Sequence, residues 1–270
     1  GDAKNCGCMS LRQASRSSII ITVMIFVTGG TGFIGRALIR QLTAAGHPVR
    51  TLLRPSRQSP HLPPGVAVEA AVCSLQDERG LQAALKGVDV IYHLAGTERL
   101  GSKADLNGVD VEGTEAIVKA AEQSGVRRLV FLSHLGADRA SAFPVYKAKG
   151  LAEGAIQRSN VPYTIIRSAN VFGPGDQFTV GLAQLLRSSP GVFLMPGGGK
   201  NIMQPLWVED LVTLLALTIE DPLLENQNIS VGGAETLSFR QIVNIILEKI
   251  NLKRVLLPVP LARLRGLALT

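Results

Sequence analysis

Phe26-Val27-Thr28-Gly29-Gly30-Thr31-Gly32-Phe33-Ile34-Gly35 decides how the rest of the chain is read. Before it, Val23 to Val27 make an apolar run of the length expected for a buried parallel strand. After it, Ile34, Leu38, Ile39 and Leu42 recur at helical spacing, and Gly46 stands where a helix stops. A strand, a glycine turn and a helix in that order can cradle a pyrophosphate. Gly29, Gly32 and Gly35 let the turn close, let backbone N–H groups approach the phosphates and let the helix pack on the strand. The phosphates then lie at the positive N-terminus of the helix. Thr31, Phe33 and Ile34 complete the cofactor contacts expected from this loop.

A second strand is expected over His47–Arg54, entered through Pro48. If the cofactor were NAD, an acidic residue at the strand's end would bind the ribose 2′-hydroxyl. Arg54 stands there instead, with Arg57 three residues on and Arg36 just after the third glycine. Guanidinium groups pair bidentately with a 2′-phosphate, which a carboxylate would repel. NADP is therefore the expected cofactor and NAD the alternative. The plainer account of these arginines is solvated surface charge.

Composition narrows the class. Hydrophobic residues make up 46% of 270 residues, as in a globular protein with a sizeable core. The net charge of +7 falls to +5 when residues 1–23 are set aside, and the excess is scattered. Without a basic run or an aromatic stripe, a nucleic-acid partner is not expected, and an anionic cofactor accounts for the balance. Cys6, Cys8 and Cys73 build no disulfide framework, which points to a reducing, cytoplasmic location. No run of 18 apolar residues predicts a membrane span. Arg12 and Arg16 before an apolar run imitate a signal peptide, but that run is the first strand. Met24 is the expected natural start, and residues 1–23 an extension without value to the fold, disordered or non-native. His47, His61, His93 and His134 are dispersed, so no metal site is expected.

Further along, Gln58–Gly65 reads as a proline-rich loop, Val66–Val72 as a third strand and Leu81–Leu85 as a helix closed by Gly87. Val88–Gly96 reads as a fourth strand that ends on small residues, with Leu94, Ala95 and Gly96 where a cofactor must approach. Residues 97–107 read as loop and Val111–Gln123 as a helix stopped by Gly125. Arg127–His134 reads as a fifth strand, Ala148–Gln157 as a helix and Tyr163–Arg167 as a sixth strand. Such alternation predicts an α/β chain with a doubly wound parallel sheet. Residues 24–172 would form this nucleotide-binding domain. Residues 173–270 would form mostly a small C-terminal substrate lid, with some elements returning to the sheet. Within the tail, Ser238 and Gln241 make a capping box for a helix through Ile250, and Leu256–Thr270 reads as lid helix or as a membrane-surface or partner contact.

The chain resembles the extended and atypical short-chain dehydrogenase/reductases, whose fold is of the Rossmann type. The matching segments are Thr28–Gly35, His93-Leu94-Ala95-Gly96, Val111-Glu112-Gly113-Thr114 and Arg167–Gly175. Phe131-Leu132-Ser133-His134-Leu135-Gly136-Ala137 is similar to the branch holding bacterial relatives of the 39 kDa accessory subunit of respiratory complex I. The resemblance implies a Ser–Tyr–Lys set that moves a proton while hydride passes to or from the nicotinamide, on a carbonyl or alcohol substrate such as a nucleotide sugar. Here these residues would be Ser133, Tyr146 and Lys149, with Lys149 also on the nicotinamide ribose.

The register departs from the family pattern, in which lysine follows tyrosine by four. Gly150 stands four after Tyr146, and Val145 stands four before Lys149. Cys73-Ser74 replaces the usual Gly-Asp, leaving Ser74 and Leu75 at the adenine. Asp110 replaces an asparagine, and Ser168 a proline. Two functions are therefore expected of the same fold. One is an NAD(P)-dependent oxidoreductase or epimerase/dehydratase; the other is a catalytically weak cofactor-binding accessory, assembly or redox-sensing protein. A small molecule is the expected substrate, and a second copy of the chain or a membrane complex is the macromolecular contact to be considered. A kinase is excluded because no GxxxxGK[ST] occurs. Ser133-His134 is not a nucleophilic dyad, because adjacent strand residues point to opposite faces.

Overall fold

The structure is a computed structural model that describes residues 22–57, 59–219 and 221–260. Nearly all of the expected extension, and residues 261–270, lie outside these. Strands β1 (Ile25–Thr28), β2 (Val49–Leu53), β3 (Glu69–Val72), β4 (Val90–His93), β5 (Arg128–His134) and β6 (Tyr163–Ser168) alternate with helices α1 (Phe33–Ala44), α2 (Glu78–Ala84), α3 (Glu112–Ser124) and α4 (Pro144–Gln157). Then come β7 (Val171–Phe172), α5 (Gln177–Ser188), β8 (Val192–Pro196), β9 (Ile202–Met203), β10 (Leu206–Trp207), α6 (Val208–Leu217), β11 (Gln227–Val231), β12 (Leu237–Ser238), α7 (Phe239–Lys249) and β13 (Val255–Val259). Seven strands form one sheet in the order β11-β6-β5-β4-β1-β2-β3, parallel at every pairing. The strand order reverses between β1 and β4, where open α/β sheets bind ligands outside the strands' carboxyl ends.

Both faces of the sheet are covered. Leu81, Ile117, Ala121, Ala152 and Ile156 from α2, α3 and α4 pack on one side with Phe26, Ile91 and Phe131. Leu38, Ile39 and Leu42 from α1 and Leu211, Val212 and Leu215 from α6 cover the other with Ile25, Val27 and Tyr92. The central strands β1 and β4 are therefore buried at every position rather than alternating, as cover on two faces requires, whereas the edge strands β3 and β11 are largely exposed. Local signals set the element ends. Asp77 caps α2 by accepting from the Gly80 N–H at 3.0 Å. Gly125 ends α3 in the left-handed region. α4 starts at Pro144, four residues before Ala148, because proline at the first position gives up no helical hydrogen bond. The expected loop over 97–107 instead holds a 3₁₀ turn, Glu98–Lys103, and the start of a π-helical turn, Leu106–Val111.

The tail divides its elements. α6 and β11 join the main sheet's layers, whereas Leu182, Leu186, Phe193, Met195, Ile242, Val243 and Leu247 from α5, β8 and α7 form a separate apolar cluster. Ser238 and Gln241 make the reciprocal capping box of α7. Where a terminal helix was expected from Leu256, Val255–Val259 is a strand paired parallel to β8. Pro258 and two β-branched valines oppose helix there, and β8 offers a free edge. No helix among the described residues is long and apolar enough to cross a membrane.

Candidate functional site

The glycine turn joins β1 to α1 beside the end of β4. Gly29 has φ +72°, and a Cβ there would lie 2.7 Å from the Leu94 carbonyl and 2.8 Å from the Ala95 nitrogen. A Cβ on Gly35 would overlap the Gly29 carbonyl oxygen and stand 2.8 Å from Gly30 Cα. Only bare backbone lets the turn, the helix start and β4 come this close. Gly32 is the N-cap of α1 and gives no side-chain hydrogen bond. The N–H groups of Phe33, Ile34 and Gly35 thus open the helix with no intrahelical acceptor. Bare donors at a positive helix end, walled by glycine, fit the pyrophosphate of a dinucleotide.

Around this seat lie the other expected contacts. Arg54 follows directly on β2 and is exposed, as is Arg57; Arg36 is half-buried on α1. None of the three forms a hydrogen bond or ion pair among the described residues. Ser74 bonds the Gln76 side chain, and Gln76 in turn donates to the Gly108 carbonyl at 3.0 Å. Leu75 is buried against Gly113.

The ends of β4 and β5 carry a continuous polar network. The Ala95 N–H donates to Thr28 Oγ1 at 3.2 Å, and Thr28 meets His93 Nδ1 at 2.7 Å. His93 Nε2 meets Thr114 Oγ1 at 3.0 Å, while the Thr114 hydroxyl donates to the Asp110 carbonyl at 2.6 Å. Because the Thr114 proton is already used, Nε2 must be the donor, Nδ1 the acceptor and Thr28 the donor to it. His93 is thus a neutral, fully paired residue of the core, stacked 5.7 Å from Phe131. Burial, aided by the Lys149 charge, pushes its pKa down to about 3.

Lys149 is buried, with Nζ 3.2 Å from Asp110 Oδ1 and 3.5 Å from Glu98 Oε2, and 5.3 Å above the Phe131 ring. Asp110 Oδ2 accepts from the backbone and hydroxyl of Thr97 at 3.0 and 2.8 Å. The other carboxylate oxygens, Asp110 Oδ1 and Glu98 Oε2, face Lys149 without a hydrogen bond. Glu98 Oε1 lies 3.2 Å from His134 Nε2. Burial would raise the Glu98 carboxyl, but the His134 hydrogen bond and the Lys149 charge prevail and hold it at about 2.

Ser133 and Tyr146 do not converge on Lys149 through hydrogen bonds. Ser133 is buried and donates to Glu153 Oε1 at 2.6 Å, and Arg167 holds the same carboxylate through two nitrogens. Tyr146 is exposed at the start of α4, its ring edge-on to Phe143 and to His134 at centroid distances of 6.0 and 6.5 Å. Its hydroxyl has no partner among the described residues. A lysine at position 150 would have no room, since a Cβ there would stand 2.5 Å from the Arg139 nitrogen. Glu98 and His134 escaped sequence reasoning. Glu98 lies in a stretch that reads as loop, and the sequence places His134 in a family-like segment without giving it a chemical role.

These pKa shifts predict acid lability. The unfolded chain protonates histidine near 6.5, whereas folded His93 resists to about 3. Stability present above pH 6.5 should therefore fall progressively between 6.5 and 3, and Glu98 adds a further loss between 4.5 and about 2. Urea unfolding midpoints should be lower at pH 5 than at pH 7, and His93→Asn should flatten the difference.

A sheet with this strand order and a glycine-walled helix end at its switch point defines a nucleotide-binding α/β protein. The chain belongs to the NAD(P)H-binding family, whose pattern matches residues 29–180. It is 30% identical to ceramide reductase of Caulobacter vibrioides over 74% of this chain and 62% of that protein. It is 26% identical to the mitochondrial NADH dehydrogenase (ubiquinone) 1 alpha subcomplex subunit 9 of Arabidopsis thaliana, over 96% of this chain and 66% of that protein. The chain thus spans just under two thirds of each relative's length. A short-chain dehydrogenase/reductase superfamily protein from Agrobacterium tumefaciens, solved with bound NAD, shares the fold at a TM-score of 0.73 and 24% identity, covering 88% of this chain and 86% of that one.

Proposed function

We propose that the chain binds NADP(H) and serves hydride transfer to or from a carbonyl or alcohol of a small-molecule substrate. The observation that carries this is the bare start of α1, set beside three arginines without protein partners among the described residues. The turn from Gly29 to Gly35 holds the pyrophosphate, and Arg54 and Arg57 with Arg36 receive the 2′-phosphate. Ser74 and Leu75 line the adenine. Leu94, Ala95 and Gly96 make room for the nicotinamide half, and Lys149 lies nearest its ribose. Once bound, the dinucleotide supplies or takes up the hydride. The protein's own part is to seat it, to orient a substrate oxygen over the ends of β4 and β5, and to move a proton. The free, buried Cys73 supports a reducing, cytoplasmic compartment.

Calorimetric titration tests the cofactor. NADPH should bind more tightly than NADH, and Arg54→Asp should weaken NADPH by about 10- to 100-fold with little effect on NADH, as expected for the loss of a charge-assisted pair and its replacement by repulsion. Equal affinity for both overturns the NADP assignment; saturable binding of neither overturns the reading as a whole.

A cofactor-binding accessory protein is the second reading. It is favoured by the pairing of Lys149 with two carboxylates, which leaves little of its charge to activate a tyrosine. The bond from Ser133 to Glu153 also supports it. NADPH binding without oxidation across a panel of aldehydes, ketones and quinones is its expected signature.

A further inference from the structure

The oxidoreductase reading needs a side chain that carries a proton at the cofactor's reactive end, and neither Ser133 nor Tyr146 is arranged for it. Ser133 spends its hydroxyl on Glu153. The Tyr146 hydroxyl has no hydrogen bond among the described residues, and the Lys149 ammonium is held between Asp110 and Glu98 rather than beside that hydroxyl. His134 differs on each count. It is the last residue of β5, next to β4 in the sheet, and its side chain is 30% exposed. Glu98 accepts from Nε2 at 3.2 Å, which leaves Nδ1 as the ring nitrogen with no protein partner among the described residues. The ring is steadied by Tyr146 edge-on. Glu98 is itself tied to buried Lys149, so the carboxylate that orients the imidazole has little freedom to swing away. A carboxylate on one nitrogen and an open second nitrogen is the arrangement by which a protein fixes one histidine tautomer for proton transfer.

We propose that His134, oriented by Glu98, is the proton-carrying residue of this site. The assignment rests on the oxidoreductase reading. In the reducing direction, the Nδ1–H of the doubly protonated ring gives its proton to the substrate carbonyl oxygen while the carbonyl carbon takes hydride from the reduced nicotinamide dinucleotide. The C=O π bond breaks, one C–H and one O–H bond form, and the neutral imidazole regains a proton from water at its exposed edge. The oxidising direction runs in reverse, with Nδ1 accepting the alcohol proton. The charged and titratable groups around the ring are Glu98 and, beyond it, Lys149 and Asp110, with Tyr146 on the side of α4.

The test has two arms. In ¹⁵N-labelled protein without cofactor, neutral His134 should show the Nε2–H tautomer with a bare Nδ1, and Glu98→Gln should mix the two tautomers; a dominant Nδ1–H tautomer overturns the proposal. In turnover with NADPH and nitrobenzaldehyde, His134→Gln should lower the rate by about 100-fold or more with NADPH affinity unchanged, and added imidazole should restore part of the rate of His134→Ala. Full loss on Tyr146→Phe with His134→Gln unimpaired overturns His134 while leaving the oxidoreductase reading intact. A wild-type protein that binds NADPH yet oxidises it with no carbonyl overturns that reading and this role with it.

Discussion

Gly35→Ala should weaken NADPH binding by about 100-fold, equal to about 2.7 kcal/mol, and lower the melting temperature by about 4–8 °C. The added methyl would enter the Gly29 carbonyl oxygen and crowd Gly30, both backbone groups of the same turn. Neither can step aside as a flexible side chain would, so α1 must shift away from β1. Overpacking of this kind costs about 2 kcal/mol, and each kcal/mol moves the midpoint by about 2–4 °C in a chain of this size. The affinity loss arises separately, because the displaced helix start no longer presents its bare N–H groups to the phosphates. Gly46→Ala makes the contrast. Gly46 has a positive φ but nothing within 4 Å of an added Cβ, so its substitution should cost about 1 kcal/mol and leave affinity unchanged. Equal affinity losses in both variants would show that the turn is not the phosphate seat.

Lys149→Met should be the most destabilising change in the site, by about 3–5 kcal/mol. It leaves Asp110, 1% exposed, and the Glu98 carboxylate facing each other with no cation between them. Removing one partner of a buried pair strands the other charge, which costs more than the pair itself contributed. Asp110→Asn in the same chain should therefore restore much of the loss, since an amide keeps the Thr97 contact at the oxygen and carries no charge. Thermal melts of the two single variants and the double variant give the coupling directly. Purely additive losses would mean that Lys149 and Asp110 do not neutralise each other. NADPH affinity should fall in Lys149→Met and stay low in the double variant, because the proposed ribose contact is missing from both.

The two results rest on signals of different range. Gly29, Gly32 and Gly35 lie within one turn, so spacing alone predicts the tight strand-to-helix join seen between β1 and α1, and the same holds for the Ser238–Gln241 box and the Gly125 stop. The order of strands could also be argued, because parallel crossovers leave few ways to wind such an alternation. In the segment from Leu256, Pro258 and Val259 oppose helix, but nothing local names the strand it pairs with. A short apolar stretch with period near neither 2 nor 3.6 takes its conformation from its neighbour, and here that neighbour is β8.

The amino-acid sequence by itself determined a parallel α/β sheet, the glycine turn between β1 and α1 and the basic end of β2, because each depends on groups a few residues apart. Which polar side chains meet at the ends of β4 and β5 was decided by tertiary structure alone. His134 and Glu98 are 36 residues apart and Ser133 and Glu153 are 20 apart, on elements brought together only by packing of the core. Side-chain pairing over such separations depends on the angle and depth at which helices settle on the sheet, whereas the alternation of β5 by itself puts Ser133 and His134 on opposite faces.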